Sequence, residues 1–224
     1  MKPTISSETM QFLADLKLNN NKEWFQQNKN RYETARSNFM NFTEMLIHEI
    51  GVFDSRIKNI VSKDCIFRIY RDVRFSHNKT PFKPNLGAYI SAGGRKSKYA
   101  GYYIHLEDGA TMFAAGIYMP QPYELAQVRT GIFERIEQFK EIIENKTFKE
   151  TYNTIEGDQL KTAPKGFPKD FPEIALLRFK SYSVIKIVEN EIVENHDFFD
   201  KAMEAFKIVY PFNDFINRAI DETL

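Results

Sequence analysis

The chain comprises 224 residues, 42% of them hydrophobic and 27% charged, which is enough apolar material for a sizeable core and too much for intrinsic disorder. With 31 Lys and Arg against 30 Asp and Glu, the net charge of +1 sets up no strong overall field and excludes a histone-like coat for polyanions. Aromatic residues are abundant, at 20 Phe, 11 Tyr and one Trp, more than a core of this size requires.

Ser6 or Ser7 is suited to cap a first helix carrying Met10, Phe12, Leu13 and Leu16, ended by Asn19-Asn20-Asn21. A second helix is predicted from about Lys22 to Ile50, with Trp24, Phe25, Tyr32, Phe39, Phe42, Leu46 and Ile50 at helical spacing and Gly51 as its stop. The pattern then changes to β-rich runs at Ile66 to Phe75, Leu86 to Ala92, Gly101 to Glu107 and Thr111 to Met119. Turns at Gly93-Gly94 and Asp108-Gly109 suit an antiparallel meander. Pro120 and Pro122 open an amphipathic helix through Leu125, Val128, Ile132, Ile136, Phe139 and Ile143, followed by a short helix near Phe148. Residues 163–168 form a loop, Glu173 to Lys180 another short helix, and Val184 to Val188 a last strand. Asn195 begins a C-terminal helix that Pro211 should kink or interrupt. The expected fold is α+β: a central, mostly antiparallel sheet of about four to five strands flanked by N-terminal and C-terminal helices, in a single domain over 1–224.

A lone cysteine, Cys65, forbids an intrachain disulfide and a Cys-rich zinc site. The first residues carry no apolar leader and no run of about 18 apolar residues occurs, so a cytoplasmic protein with no membrane contact is expected. The Gly93-Gly94-Arg95-Lys96-Ser97-Lys98 stretch lacks P-loop spacing and reads as a hairpin turn, and the four histidines form no helical zinc pair. No metal site is expected and no cofactor can be named.

The near-zero charge conceals segregation. Residues 63–105 hold nine basic side chains against two acidic ones, a net +7, whereas residues 189–224 hold nine acidic against three basic, a net −6. The densest chemistry lies in the basic block, from Phe67 to Lys83. On an extended strand Arg68, Tyr70, Asp72 and Arg74 would share one face, opposite Phe67, Ile69, Val73 and Phe75. Arg71 breaks that alternation, so it requires either a bulge that turns it outward or a partner for a buried cation. Asp72 suits the orientation of a neighbouring guanidinium. The following loop adds Ser76, Lys79, Thr80 and Lys83. Arg68, Arg71, Arg74, Ser76, Lys79, Thr80 and Lys83 together supply the forked donors, hydroxyls and fixed charge that a phosphate or carboxylate ligand requires. On Gly101 to Glu107, Tyr103, His105 and Glu107 share a face. Asp72, Tyr103 and His105 are therefore the candidates for acid–base work. Cys65 reads as a buried strand residue.

The segments Asn19-Asn20-Asn21-Lys22-Glu23-Trp24-Phe25, Phe67 to Ser76, Gly101-Tyr102-Tyr103-Ile104-His105 and Pro164-Lys165-Gly166-Phe167 resemble, over nearly the whole chain, a widespread uncharacterised family catalogued as a domain of unknown function (DUF2461). Arg68, Arg71, Asp72, Arg74, Ser76, Lys79, Thr80, Pro81 and Lys83 match its pattern. The chain has His77-Asn78 where the family carries Lys-Asp, and Phe82 where it carries tyrosine. The resemblance thus implies that His77, Asn78 and Phe82 are not indispensable catalytic groups; it supplies no reaction. Three functions stay open: an anionic small-molecule site, with catalysis there left open, a nucleic-acid module stacking bases on Tyr70, Tyr102 or Tyr103, and an interaction protein whose acidic C-terminal helix covers the basic sheet. Oligomeric state is not legible.

Overall fold

A computed structural model describes residues 2–72, 74 and 77–222. Helix α1 (Ser7–Leu18) starts where the Ser6 hydroxyl accepts from the Thr9 N–H and buries Met10, Phe12, Leu13 and Leu16. Asn21 caps α2 (Lys22–Gln27) by accepting from the Trp24 N–H at 2.9 Å. The single helix predicted from Lys22 is two: Asn28, whose backbone and side chain both donate to the Trp24 carbonyl, separates α2 from α3 (Lys29–Phe53). Gly51 does not stop α3; the chain leaves the helix at Asp54, whose carboxylate is buried against the Tyr102 hydroxyl at 2.9 Å. A short turn, α4 (Ser62–Cys65), follows.

Strands β1 (Asn85–Ile90), β2 (Gly101–Glu107) and β3 (Met112–Ile117) form the expected meander, and after a long excursion β4 (Tyr182–Ile187) closes an antiparallel sheet of order β1-β2-β3-β4. Between β3 and β4 run α5 (Pro122–Glu134), α6 (Ile136–Glu144), α7 (Lys146–Tyr152) and α8 (Ile174–Leu177). The helix predicted from Pro122 to Ile143 is broken at Arg135, which leaves helical geometry. After β4 come α9 (Asn190–Val193) and α10 (Phe198–Asp221).

Pro211 neither ends nor interrupts α10, which passes through it. Its ring is on the exposed side of the helix, where water can satisfy the carbonyl that loses its N–H partner. The opposite side buries Phe198, Phe206, Val209 and Phe212. Two asparagines of that helix bind the start of β2: Asn217 accepts from the Ala100 N–H at 2.8 Å, and Asn213 donates to the Gly101 carbonyl at 3.0 Å. The rings of Tyr102 and Phe113 meet Phe206 at 5.3 and 5.7 Å. Together α1, α3 and α10 cover one face of the sheet and share a contiguous apolar core with it. No helix among the described residues is long and apolar enough to cross a membrane.

The segment predicted as a strand from Ile66 to Phe75 is irregular where it is described. It touches its neighbours through two isolated bridges, Ile66 with Ala88 and Tyr70 with Phe82. One arm advances from 66 to 70 while the other advances from 82 to 88, and the two extra residues bulge around Pro84, which has no N–H to give to a ladder. Strict alternation is lost: Ile66 and Ile69 are both buried, while Phe67, Arg68 and Tyr70 are exposed.

Candidate functional site

The second face of the sheet carries no helix layer. Side chains at Gly87, Tyr89, Tyr103, His105, Ala114 and Ser183 alternate with the core-facing positions, and the strand register sets Tyr89, Tyr103, Ala114 and Ile185 in one row across all four strands. Over this floor lies a cavity of about 830 Å³. Phe67 and Lys83 bound it beyond β1, Arg95 to Lys98 enter from the β1–β2 connection, and Met119 to Gln121 with Glu124 close it from the start of α5.

The floor contains a continuous proton path. The Tyr103 hydroxyl lies 2.9 Å from Nδ1 of His105, and Nε2 of His105 lies 2.8 Å from the Glu107 carboxylate. The Glu107 carboxylate accepts from Nε2–H of His105, which leaves Nδ1 to accept a hydrogen bond from the Tyr103 hydroxyl. His105 and Glu107 are 13% and 18% exposed; His105 lines the cavity with Tyr103, and Glu107 holds it from behind. Burial, then the charge of Glu107, pushes the Tyr103 phenol up to about 12, so it keeps its proton at neutral pH. Tyr89 is fixed more firmly: its hydroxyl is 2.8 Å from the carbonyls of both Tyr99 and Gly116. Among the described residues no group of three His, Cys, Asp or Glu side chains has the arrangement of a metal site.

Of the predicted cation set, Lys83 borders the cavity, its amine 5.5 Å from the centre of the Phe67 ring. Arg68 and Arg71 are close enough that, after burial, their charges lower the proton affinity of the Lys83 amine. None of the three has an ion pair among the described residues. The half-buried Arg71 guanidinium donates to the Phe82 carbonyl at 3.4 Å, and its Nε is buried without a partner among those residues.

The other candidates are elsewhere on the hairpin tip. Arg74 grips Asp72 through Nε and a terminal nitrogen, at 3.0 and 2.7 Å, and these bonds hold the Asp72 carboxyl well below the usual carboxylate range. Asp72 does orient a guanidinium, but it is not part of the cavity wall. Thr80 bonds to the Asn78 carboxamide through both its N–H and its hydroxyl, at 3.0 and 2.7 Å. Lys79 is exposed on the same loop, and Ser76 lies outside the described residues.

The N-terminal helices hold this hairpin against the sheet. The Asn20 carboxamide donates to the Phe82 carbonyl at 3.0 Å and accepts from the Phe82 N–H at 3.1 Å, and Phe25 stacks on Phe82 at 3.9 Å. The asparagine run before Trp24 therefore caps a helix and clamps the residue next to Lys83.

One reading of the residues is corrected: Tyr102, a candidate for base stacking, is fully buried under α10. The acidic C-terminal helix does pack on the sheet, on the face opposite Lys83, and touches the basic segment where Asp221 accepts from the Tyr99 hydroxyl at 2.7 Å. Its ion pairs with other segments are Asp221 with Arg56 and Asp200 with Lys2, and Glu222 beyond the helix pairs with Arg135, each at 2.6 Å. Sequence reasoning missed Tyr89, Glu124, Ser183 and Ile185 as cavity residues. The period-two alternation of β1 and β4 was the only signal for Tyr89, Ser183 and Ile185, and Glu124, on α5, had none.

A four-stranded antiparallel sheet with helices on one face and a cavity on the other defines an α+β protein with an open site. The chain belongs to the family described as conserved hypothetical protein (DUF2461), whose model matches residues 8–215 and whose function is unknown. No curated protein and no solved structure matches it.

Proposed function

We propose that the cavity binds a small organic anion, its apolar or aromatic body over Tyr89, Tyr103, Ala114 and Ile185 and its carboxylate or phosphate beside Lys83, Arg68 and Arg71. One observation carries this reading: Lys83 lines the cavity with Arg68 and Arg71 close enough for their charges to be felt at its amine, and none of the three has an ion pair among the described residues. Uncompensated like charges repel, and a bound anion relieves that cost with charge-assisted hydrogen bonds. The floor supplies the desolvating surface that a small ligand requires, and its volume is within the range of small-molecule sites.

The test is thermal denaturation with a panel of aliphatic and aromatic carboxylates and phosphates, each beside its neutral amide or alcohol. A ligand at a hundred times its Kd stabilises by about 2.7 kcal/mol, which raises Tm by about 5–10 °C in a chain of this size. The acids should give that shift and the neutral analogues a smaller one, with the difference abolished in Lys83→Ala and reduced in Arg68→Ala. Equal shifts for acids and neutral analogues, or no shift with any compound, would overturn the proposal.

A further inference from the structure

We infer that Lys83 is a nucleophile, and that it captures a small 2-oxo acid as an imine: its half-buried amine lies over the Phe67 ring, near two arginines that have no ion pair among the described residues, at the edge of a cavity whose floor holds Tyr103 and His105, with Glu107 hydrogen-bonded behind them. The inference rests on the anion-site reading and names the substrate class for it.

A lysine attacks a carbonyl carbon only as the neutral amine, and two surroundings favour that form: desolvation and neighbouring positive charge. Lys83 has both. It lines the cavity wall, its backbone N–H donating to the Ile69 carbonyl at 2.8 Å, and no carboxylate among the described residues lies within ion-pair distance of its amine. Burial first, then Arg68 and Arg71, lowers its affinity for a proton. The contrast with other lysines of the molecule is direct: Lys140, at 2.7 Å from Glu173, has its proton affinity raised.

The same arginines explain why the carbonyl compound would carry a carboxylate. A guanidinium beside the amine can hold the acid group while the adjacent carbonyl carbon faces Nζ, so the two functions of a 2-oxo acid match two functions already side by side. Phe67 connects the two halves of the site, its ring 5.5 Å from the Lys83 amine and 6.2 Å from the Tyr103 ring centre. In the step itself the Nζ lone pair forms the new C–N bond while the carbonyl π pair moves to oxygen, which takes a proton to give the carbinolamine. Loss of one proton from nitrogen gives the neutral carbinolamine, its hydroxyl takes a proton and departs as water, and the resulting iminium gives up the second nitrogen proton to leave C=N. Amine and carbonyl thus give imine and water, with no oxidant or reductant. The protons are supplied and taken back along Tyr103, His105 and Glu107, where the hydroxyl donor, the imidazole acceptor and the carboxylate are already hydrogen-bonded in series.

The experiment uses the full chain at pH 7.5 with pyruvate or phenylpyruvate and cyanoborohydride, which reduces an imine to a stable secondary amine, and peptide mass spectrometry to locate the adduct. Modification of Lys83 should outpace that of every other lysine of the chain, because burial and then Arg68 and Arg71 lower its affinity for a proton. It should vanish in Lys83→Arg, which keeps the charge, and slow in Tyr103→Phe without moving to another lysine. Uniform low labelling of exposed lysines, or none, overturns the imine. The thermal shift with the same acids separates the two readings: if it persists in wild type and shrinks in Arg68→Ala while Lys83 stays unlabelled, the imine falls and the anion site stands; if shift and labelling are both absent, both fall.

Discussion

Asn20 and Phe82 are joined as two strands would be, one carboxamide taking both the N–H and the carbonyl of one backbone residue, at 3.1 and 3.0 Å. A side chain here replaces a missing strand, and it does so next to Lys83. Replacing Asn20 by Ala strands a part-buried N–H and carbonyl, at a cost of about 1–3 kcal/mol. The expected outcome is a lower denaturation midpoint and a weaker response to anionic ligands, read together by thermal shift. Loss of stability with an unchanged ligand response would mean that the clamp does not position Lys83.

Gly87 leaves room for the Tyr103 hydroxyl: a Cβ at 87 would stand 2.7 Å from that oxygen. Gly87→Ala therefore displaces the ring and costs about 1–3 kcal/mol as overpacking. It should also break the bond to His105. Nitrogen chemical shifts of the His105 ring check this: wild type shows the Nε2–H form with an accepting Nδ1, and the variant loses the Nδ1 hydrogen bond. Unchanged ring nitrogens would show that the hydroxyl has another way to reach His105.

Lys83→Met should raise Tm at neutral pH while eliminating ligand binding, because it removes a half-buried charge beside Arg68 and Arg71 that has no ion pair among the described residues. The pH dependence has a definite sign. The folded state lowers the proton affinity of Lys83 below the usual 10.5, so the unfolded chain binds more protons and stability rises as pH climbs from the lowered value to 10.5. The advantage of the Met variant should shrink over that window in denaturation series run in parallel, in which the buried tyrosines contribute equally to both proteins.

Asp72→Ala should leave Tm unchanged within measurement, since its pair with Arg74 is solvent-exposed on both sides. Anion binding should persist or tighten, because the substitution removes a negative charge that feels Arg68. Loss of binding or of imine formation in this variant would return Asp72 to the working site.

Cys65 is buried, and burial, with the charges of Asp64 and Glu44, pushes its thiol up to about 12. A disulfide-exchange reagent at pH 8 should leave it unmodified in the folded protein and react fully in denaturant. Rapid reaction under native conditions would show local opening of α4.

The legible parts of this molecule were those whose signal is local. Ser6 caps the first helix and Asn19 ends it, and period two on β2 separates Tyr103, His105 and Glu107 from Tyr102, Ile104 and Leu106. The segment from Ile66 misled because its apolar and basic residues alternate like a strand, whereas its pairing is decided by the partner arm and the bulge around Pro84. Pro211 misled because a proline on the exposed side of a long, well-packed helix costs less than the packing on the other side supplies. The cavity could not be read at all: Lys83, Arg95, Glu124 and Ser183 come from four separate segments, and only the sheet register brings them around one space.

The order of the sheet also has a temporal meaning. β1, β2 and β3 follow one another through short connections, but residues 118–181 intervene before β4 pairs with β3. Closing so long a loop must precede the contacts that reward it, so β4 docks after the meander has formed. Ser183 and Ile185 complete the cavity only then. A nascent chain that has emerged as far as β3 has its arginines and its Tyr103 but no closed pocket, and its third strand offers an open edge until the last one arrives.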